Sequence, residues 1–218
     1  MRILITGASG GIGHACAAYF LKEGHTVYGL DVKPAEIRHA HYRQILADVR
    51  CPEQFPADLK PEVIVNSAGV QNSGDDIGIN LKGVINITER YAFDNDAIRS
   101  VVIIRSASAH TGSEFPEYAA AKGGLMAYTK NVAMRLAPKA ICNSIDPGGV
   151  NTPLNDPVMK DEKLWRRIME LTPLKRWAEP EEIAEWVYFV AVRNRFMTGQ
   201  NLLIDGGEAG MFDFVWPE

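Results

Sequence analysis

The chain has 218 residues, 46% of them hydrophobic and 23% charged, with a formal net charge of −4. That length suits one packed domain with a sizeable core, the composition is that of an ordinary water-soluble globule, and an acidic balance with no basic block argues against a nucleic-acid or anionic-membrane partner. No apolar run approaches the ~20 residues of a membrane helix, no signal-peptide pattern precedes the first apolar run, and Cys16, Cys51 and Cys142 show neither metal-ligand spacing nor a disulfide framework, so the expected location is a reducing cytoplasm.

Short apolar runs alternate with longer helical patterns. RILIT (2–6) reads as a buried strand. Residues 11–23 read as a helix with Ile12, Ala15, Cys16, Tyr19 and Phe20 on one face, stopped by Gly24. TVYGLD (26–31), QILAD (44–48) and EVIVN (62–66) read as the next three strands, and a helix covers roughly 76–93. VVIIR (101–105) is the fifth strand, followed by a long helix over about 115–137. ICNSI (141–145) is the sixth strand, 180–192 a helix, and NLLID (201–205) the last strand. This alternation predicts an α/β fold: one Rossmann-type, doubly wound parallel sheet of about seven strands, helices on both faces, spanning 1–218 as a single domain. The proline-rich stretch 146–178, with a helical pattern around 157–170, is irregular for its length, and such a stretch in a compact domain is expected to be a functional lid.

The segment ITGASGGIG (5–13) joins the first strand to the first helix, the context in which glycines let a pyrophosphate approach helical N–H groups. It has two registers: Gly7, Gly11 and Gly13, or Gly7, Gly10 and Gly13. Asp31 closes the second strand 24 residues after Gly7, where an acid hydrogen-bonds a ribose 2′-hydroxyl and repels a 2′-phosphate. No Lys or Arg lies inside the glycine loop, and Lys33 is two residues past the acid, so NAD is expected in preference to NADP.

YAAAK puts Tyr118 and Lys122 four residues apart at a helix start, on one face. A tyrosine titrates near ~10; an ammonium ~5 Å away, at an effective dielectric of about 20, is worth roughly 3 kcal/mol, or about two pKa units. With an oxidised nicotinamide adding positive charge, a phenolate near neutrality becomes available for proton transfer. Ser106 and Ser108 follow the fifth strand upstream, and a serine hydroxyl beside the tyrosine would hold a substrate oxygen.

TGASGGIG (6–13), DV (48–49), NSAG (66–69), NLKG (80–83), RSASAHTG (105–112), YAAAK (118–122), NSIDPGGVNTP (143–153) and MTGQNLLIDGG (197–207) occur in this order across nearly the whole chain. Together they resemble the short-chain dehydrogenase/reductase family. The resemblance implies that Tyr118 is the general acid/base, that Lys122 lowers its pKa and holds the nicotinamide ribose, that Ser106 polarises the substrate oxygen, and that Asn80 holds a water in a proton relay. It selects the register of Gly7, Gly11 and Gly13, with Ser9 and Ile12 in the same pyrophosphate loop. Asp48 and Val49 would flank the adenine; Asn66, Ala68 and Gly69 would line the cofactor cleft; Pro147, Gly148, Val150 and Thr152 would embrace the nicotinamide; and about 151–175 would be a substrate lid. The implied activity is NAD-dependent interconversion of a secondary alcohol and a ketone by a homo-oligomer, dimer or tetramer.

Some positions depart from the family pattern. Eleven positions separate Gly69 from Asn80, a shortened segment. Ser67 replaces the usual second Asn of the NNAG motif, and Ala109 stands where glycine is common. Arg105 is unusual at a core-strand end; strand alternation points it away from Ser106, toward the surface. His110 is read as a bystander. Between Asp156 and Glu170 four positive and four negative charges cancel, so the lid does not announce a charged substrate. The tail MFDFVWPE carries Phe212, Phe214 and Trp216 at alternate positions, for packing on its own sheet or on a partner subunit. Two other functions fit parts of the pattern. A nucleotide-sugar epimerase or dehydratase recycling its NAD is permitted by the second glycine register, but not favoured by the short chain. A non-catalytic NAD-binding regulator would have no need of the Asn80, Ser106, Tyr118 and Lys122 set.

Overall fold

The structure, a computed structural model, describes residues 1–113 and 115–210; the aromatic tail lies outside the described residues. Its frame is a seven-stranded sheet: β1 Arg2–Thr6, β2 Thr26–Asp31, β3 Tyr42–Leu46, β4 Val63–Asn66, β5 Ser100–Ile104, β6 Ile141–Pro147 and β7 Asn201–Ile204. The order is β3-β2-β1-β4-β5-β6-β7 and every pairing is parallel.

Strand periodicity explains how one sheet serves two cores. Successive side chains point to opposite faces, so Ile3, Ile5, Val63, Val65, Val102 and Ile104 join one apolar cluster while Leu4, Ile64, Val101 and Ile103 join the other. The first cluster is covered by α1, Gly11–Lys22, which supplies Ala15, Cys16 and Phe20, with Ile183, Ala184 and Val187 from the helix over Pro180–Tyr188. The second is covered by α2, Val84–Tyr91, and by the long helix over Pro116–Leu136. Further helices lie between β5 and the last strand: α3 Ser108–Thr111, α4 Pro116–Leu136, α5 Asp156–Met159, α6 Glu162–Leu171 and α7 Pro180–Tyr188.

Most element ends differ from the sequence reading by one or two residues, and three differences have a visible structural basis. β3 pairs with β2 over Tyr42–Leu46 rather than 44–48, because the chain turns away at Asp48, whose carbonyl accepts from Cys51 N–H at 2.9 Å. The helix expected over 76–93 contains a π-helical stretch at Gly78–Gly83 before α2 and ends at Tyr91. The helix expected over 180–192 likewise ends in a π turn, Phe189–Arg193. Such bulges insert an extra residue per turn and concentrate at functional sites; the first of them carries Asn80. Among the described residues no helix is long and apolar enough to cross a membrane.

Candidate active site

The strand order reverses direction between β1 and β4, and ligands of doubly wound sheets bind outside the carboxyl ends at that crevice. The crevice is stitched by Thr6, whose Oγ1 accepts from the N–H groups of Ser67 and Ala68, both at 3.0 Å. The glycine loop leaves β1 here. Gly7 has φ +69° and Gly11 has φ +51°, left-handed conformations that glycine adopts at no steric cost. A Cβ on Gly13 would lie 2.1 Å from the Gly7 carbonyl oxygen. Gly10 is extended at φ −163° and a Cβ there would meet nothing within 4 Å. The geometry therefore requires glycine at positions 7, 11 and 13, the first of the two registers, and not at position 10.

Beside the loop lies a cavity of about 180 Å³ lined by Gly7, Asp31, Asp48, Val49, Ala68, Gly69 and Ile79, among others. Asp31 ends β2 and accepts from the N–H groups of Ser9 and Lys33, both at 3.0 Å. Arg50, which the sequence reading passed over, lines the same cavity. Its guanidinium bonds Asp48 at 2.6 Å and Asp75, in the shortened segment, at 2.9 Å, and holds the Asp48 carboxyl below the usual range. Only Asn66 turns elsewhere among the expected residues of this wall. It is buried, its Nδ2 donates to Thr88 Oγ1 at 3.0 Å, and it does not line the cavity. On the far side Thr152 packs on the glycine loop, its Cγ2 3.4 Å from where a Gly11 Cβ would be.

A second cavity, about 550 Å³, opens beyond the ends of β5 and β6 and holds Ser106, Ser108, Tyr118 and Gly148. α4 places two of the expected groups. Its buried positions, Tyr118, Ala121, Lys122, Leu125, Thr129, Val132, Ala133 and Leu136, form one helical stripe, so the face that packs on the sheet also points Tyr118 and Lys122 inward. Lys122 is buried, donates from Nζ to the Ile104 carbonyl at 3.0 Å, and lies 5.6 Å from the Tyr118 ring centroid. Ser106 Oγ accepts from Ser108 N–H at 3.2 Å. The Asn80 side chain is engaged with Val70, accepting from its N–H at 3.0 Å and donating to its carbonyl at 2.9 Å. A Cβ on Gly69 would be 3.0 Å from Asn80 Oδ1 and 3.6 Å from Lys122 Nζ, so these three residues converge between the two cavities. Pro147 and Val150 are buried beneath this region, Val150 in a bridge to Ala178.

Arg105 corrects the surface-directed expectation. Its side chain is fully buried, with Nη2 3.2 Å from Asp146 Oδ2 and Nη1 donating to Asn201 Oδ1. β5 ends at Ile104, so pleat alternation no longer governs position 105, and β6 and β7 deliver a carboxylate and an amide beneath it. His110 shares the same carboxylate at 2.7 Å through Nε2, which makes it part of the turn's anchorage rather than a bystander. Burial presses the Arg105 guanidinium downward in pKa, opposed by the attraction of Asp146. The sequence reading covered Asn155 and Thr172 only as part of the 151–175 lid and missed Gln71, Trp177 and Glu208 in the larger cavity. Nothing local marks them; they meet only when the lid folds over the strand ends.

The glycine cradle, the acid ending β2 and the cleft between β1 and β4 fit a dinucleotide. A family model described as enoyl-(acyl carrier protein) reductase matches residues 7–208. An uncharacterized oxidoreductase of Schizosaccharomyces pombe is 32% identical, aligned over 94% of this chain and 89% of its own. Aldohexose dehydrogenase from Thermoplasma acidophilum superposes with a TM-score of 0.89 at 29% identity, covering 100% of this chain and 97% of that one. A 4-hydroxyisoleucine dehydrogenase complexed with NADH (TM-score 0.86, 26% identity, 97% and 99% covered) and an Agrobacterium tumefaciens structure with bound NADP (0.85, 25%, 96% and 96%) are similar too. The chain belongs to the short-chain dehydrogenase/reductase family, an oxidoreductase family.

Proposed function

We propose that the protein is an NAD-dependent oxidoreductase that interconverts a secondary alcohol and a ketone. The observation that carries this reading is the meeting of Ser106 and Tyr118 in one cavity, with the Lys122 ammonium 5.6 Å from the Tyr118 ring. Bound nicotinamide supplies the hydride acceptor or donor. Tyr118 Oη takes the proton of the alcohol during oxidation and returns it during reduction. The Lys122 charge favours the phenolate through a poorly screening interior. Ser106 Oγ donates to the substrate oxygen and stabilises charge developing there. Because its side chain is spent on Val70, Asn80 serves the relay by anchoring the π turn, whose backbone we assign to hold the water.

The glycine loop, with Gly7, Ser9, Gly11, Ile12 and Gly13, takes the pyrophosphate; Asp48, Val49, Ala68 and Gly69 flank the adenosine; and Gly148 and Thr152 border the nicotinamide. The NAD preference rests on Asp31, which lines the adenosine cavity as a carboxylate. Arg50 is the cation that could answer a 2′-phosphate, but its guanidinium is engaged by two carboxylates. Solved relatives hold NADH in one case and NADP in another, so the preference is this chain's own. We take 1–218 as a single domain with 151–175 as its lid, supported by Leu154, Asn155, Ile168, Leu171 and Thr172 in the cavity wall. Self-association is supported by Leu174 and Trp186, 64% and 43% exposed, which line one pocket of about 190 Å³. A cytoplasmic location is supported by three free thiols.

The test is a panel of secondary alcohols with NAD or NADP, followed at the reduced-nicotinamide absorbance band. Turnover with NAD, at least tenfold above NADP in kcat/KM, is expected. Equal use of NADP would overturn the cofactor assignment, and no turnover of any alcohol or ketone would overturn the activity.

A further inference from the structure

Glu208 stands in the larger cavity although the proton transfer described above does not need it. It opens a 3-10 turn after β7, Glu208–Gly210. Its Oε1 accepts from Trp177 Nε1 at 2.8 Å and from Thr172 Oγ1 at 2.9 Å, and its Oε2 accepts from Gly149 N–H at 3.0 Å. An ionised carboxylate has about four lone-pair sites, so these three donors fix its position and leave capacity for one more. Among the described residues lining the cavity there is no Lys, Arg or His. Among the described residues the lining of this cavity therefore carries one formal charge, a negative one, with Leu154, Ile168 and Leu171 as its apolar wall; the cation nearest Tyr118, Lys122, lies outside that lining with its ammonium donating to the Ile104 carbonyl.

Resting on the oxidoreductase reading of this site, we infer that Glu208 sets the charge of the substrate: the cavity takes an uncharged alcohol or ketone that offers a hydrogen-bond donor to the Glu208 carboxylate, and rejects substrates that bear a carboxylate of their own. Two like charges ~5 Å apart at an effective dielectric of about 20 repel strongly enough for roughly a hundredfold discrimination. A neutral hydroxyl or amide N–H suffers no such repulsion and finds the remaining acceptor site.

The test compares 4-oxopentanamide with 4-oxopentanoate, which share shape and differ in charge. Reduction with NADH is measured in the wild type, Glu208→Gln and Glu208→Asp. Affinity for the NADH complex is read in parallel from Trp fluorescence, which needs no turnover. The amide is expected to be favoured about a hundredfold by the wild type and at least tenfold by Glu208→Asp, which keeps the charge but shortens the side chain and so weakens its contacts. In Glu208→Gln the gap should fall below about threefold. A wild-type gap below threefold, a gap unchanged in Glu208→Gln, or an equal collapse in both variants (a structural clamp alone) would overturn the inference. If neither ketone is reduced, the alcohol panel above decides the oxidoreductase reading, and the affinity ratios still decide the role of Glu208.

Discussion

Tyr118 and Arg105 are both buried polar side chains next to the same turn, and their chemistry separates them. Tyr118 faces a cavity. Replacing it by Phe removes only the hydroxyl, so kcat should fall by about 10²–10⁴, the usual span for a positioned acid/base, while NAD affinity from fluorescence titration stays within a few fold. Retained turnover in Tyr118→Phe would refute the proton-transfer role. Arg105 faces Asp146, and both side chains are fully buried. Removing one partner of such a pair leaves an uncompensated charge, which costs about 3–5 kcal/mol. Asp146→Asn should therefore lower the urea midpoint sharply, more than any exposed ion pair such as Arg167 with Glu170. The placement of Tyr118 and Lys122 on one buried helix face was legible in the sequence because they stand four residues apart on one helix. The partner of Arg105 was not, because Asp146 is reached only through the pairing of β5 with β6.

At the scale of elements, the glycine loop and its helix act as one rigid unit. Gly13→Ala drives a Cβ into the Gly7 carbonyl, so the loop must open or α1 must shift. That variant should lose more than about tenfold in NAD affinity and some stability as well, the cost of overpacking being typically 1–3 kcal/mol. Gly10→Ser should be tolerated in stability, since position 10 is the extended N-cap of α1 and serine is a favoured cap. Equal damage from the two changes would contradict the assigned register. The strands and helices were readable from apolar periodicity, with ends off by a few residues. The π turn around Asn80 was not readable, because its extra residue is held by Asn80 and Val70 exchanging two hydrogen bonds across the shortened segment.

At the scale of the whole molecule, surface charge sets the response to acid. Hydrogen bonds from Arg176 and from the Glu179 backbone hold Glu182 down to about 2. Arg135 lowers Glu89 and Arg50 lowers Asp48, in each case chiefly by side-chain hydrogen bonding. A carboxyl whose folded pKa lies below its unfolded value stabilises the fold above the unfolded value, and that contribution is lost as pH falls through the folded one. Tm should therefore hold from pH 7 to about 5 and fall between about 4.5 and 2. Each pair is solvent-exposed, so its share is small, and Glu182→Gln should flatten that fall slightly. A Tm that rises on acidification would contradict the charge map.

What the sequence determined by itself is whatever short-range pattern encodes: alternating apolar residues for strands that bury both faces, the glycines of the loop, the Tyr118–Lys122 spacing and the acid closing β2. These are decided within a few residues of chain, where backbone geometry fixes which side chains share a face. Only the tertiary structure decided the rest. It buried Arg105 on Asp146, engaged the Asn66 side chain with Thr88, and carried Glu208 to Trp177, Thr172 and Gly149. Those contacts join residues from 22 to 59 positions apart, and parallel strands joined by long crossovers make such meetings a property of the folded sheet rather than of any local stretch.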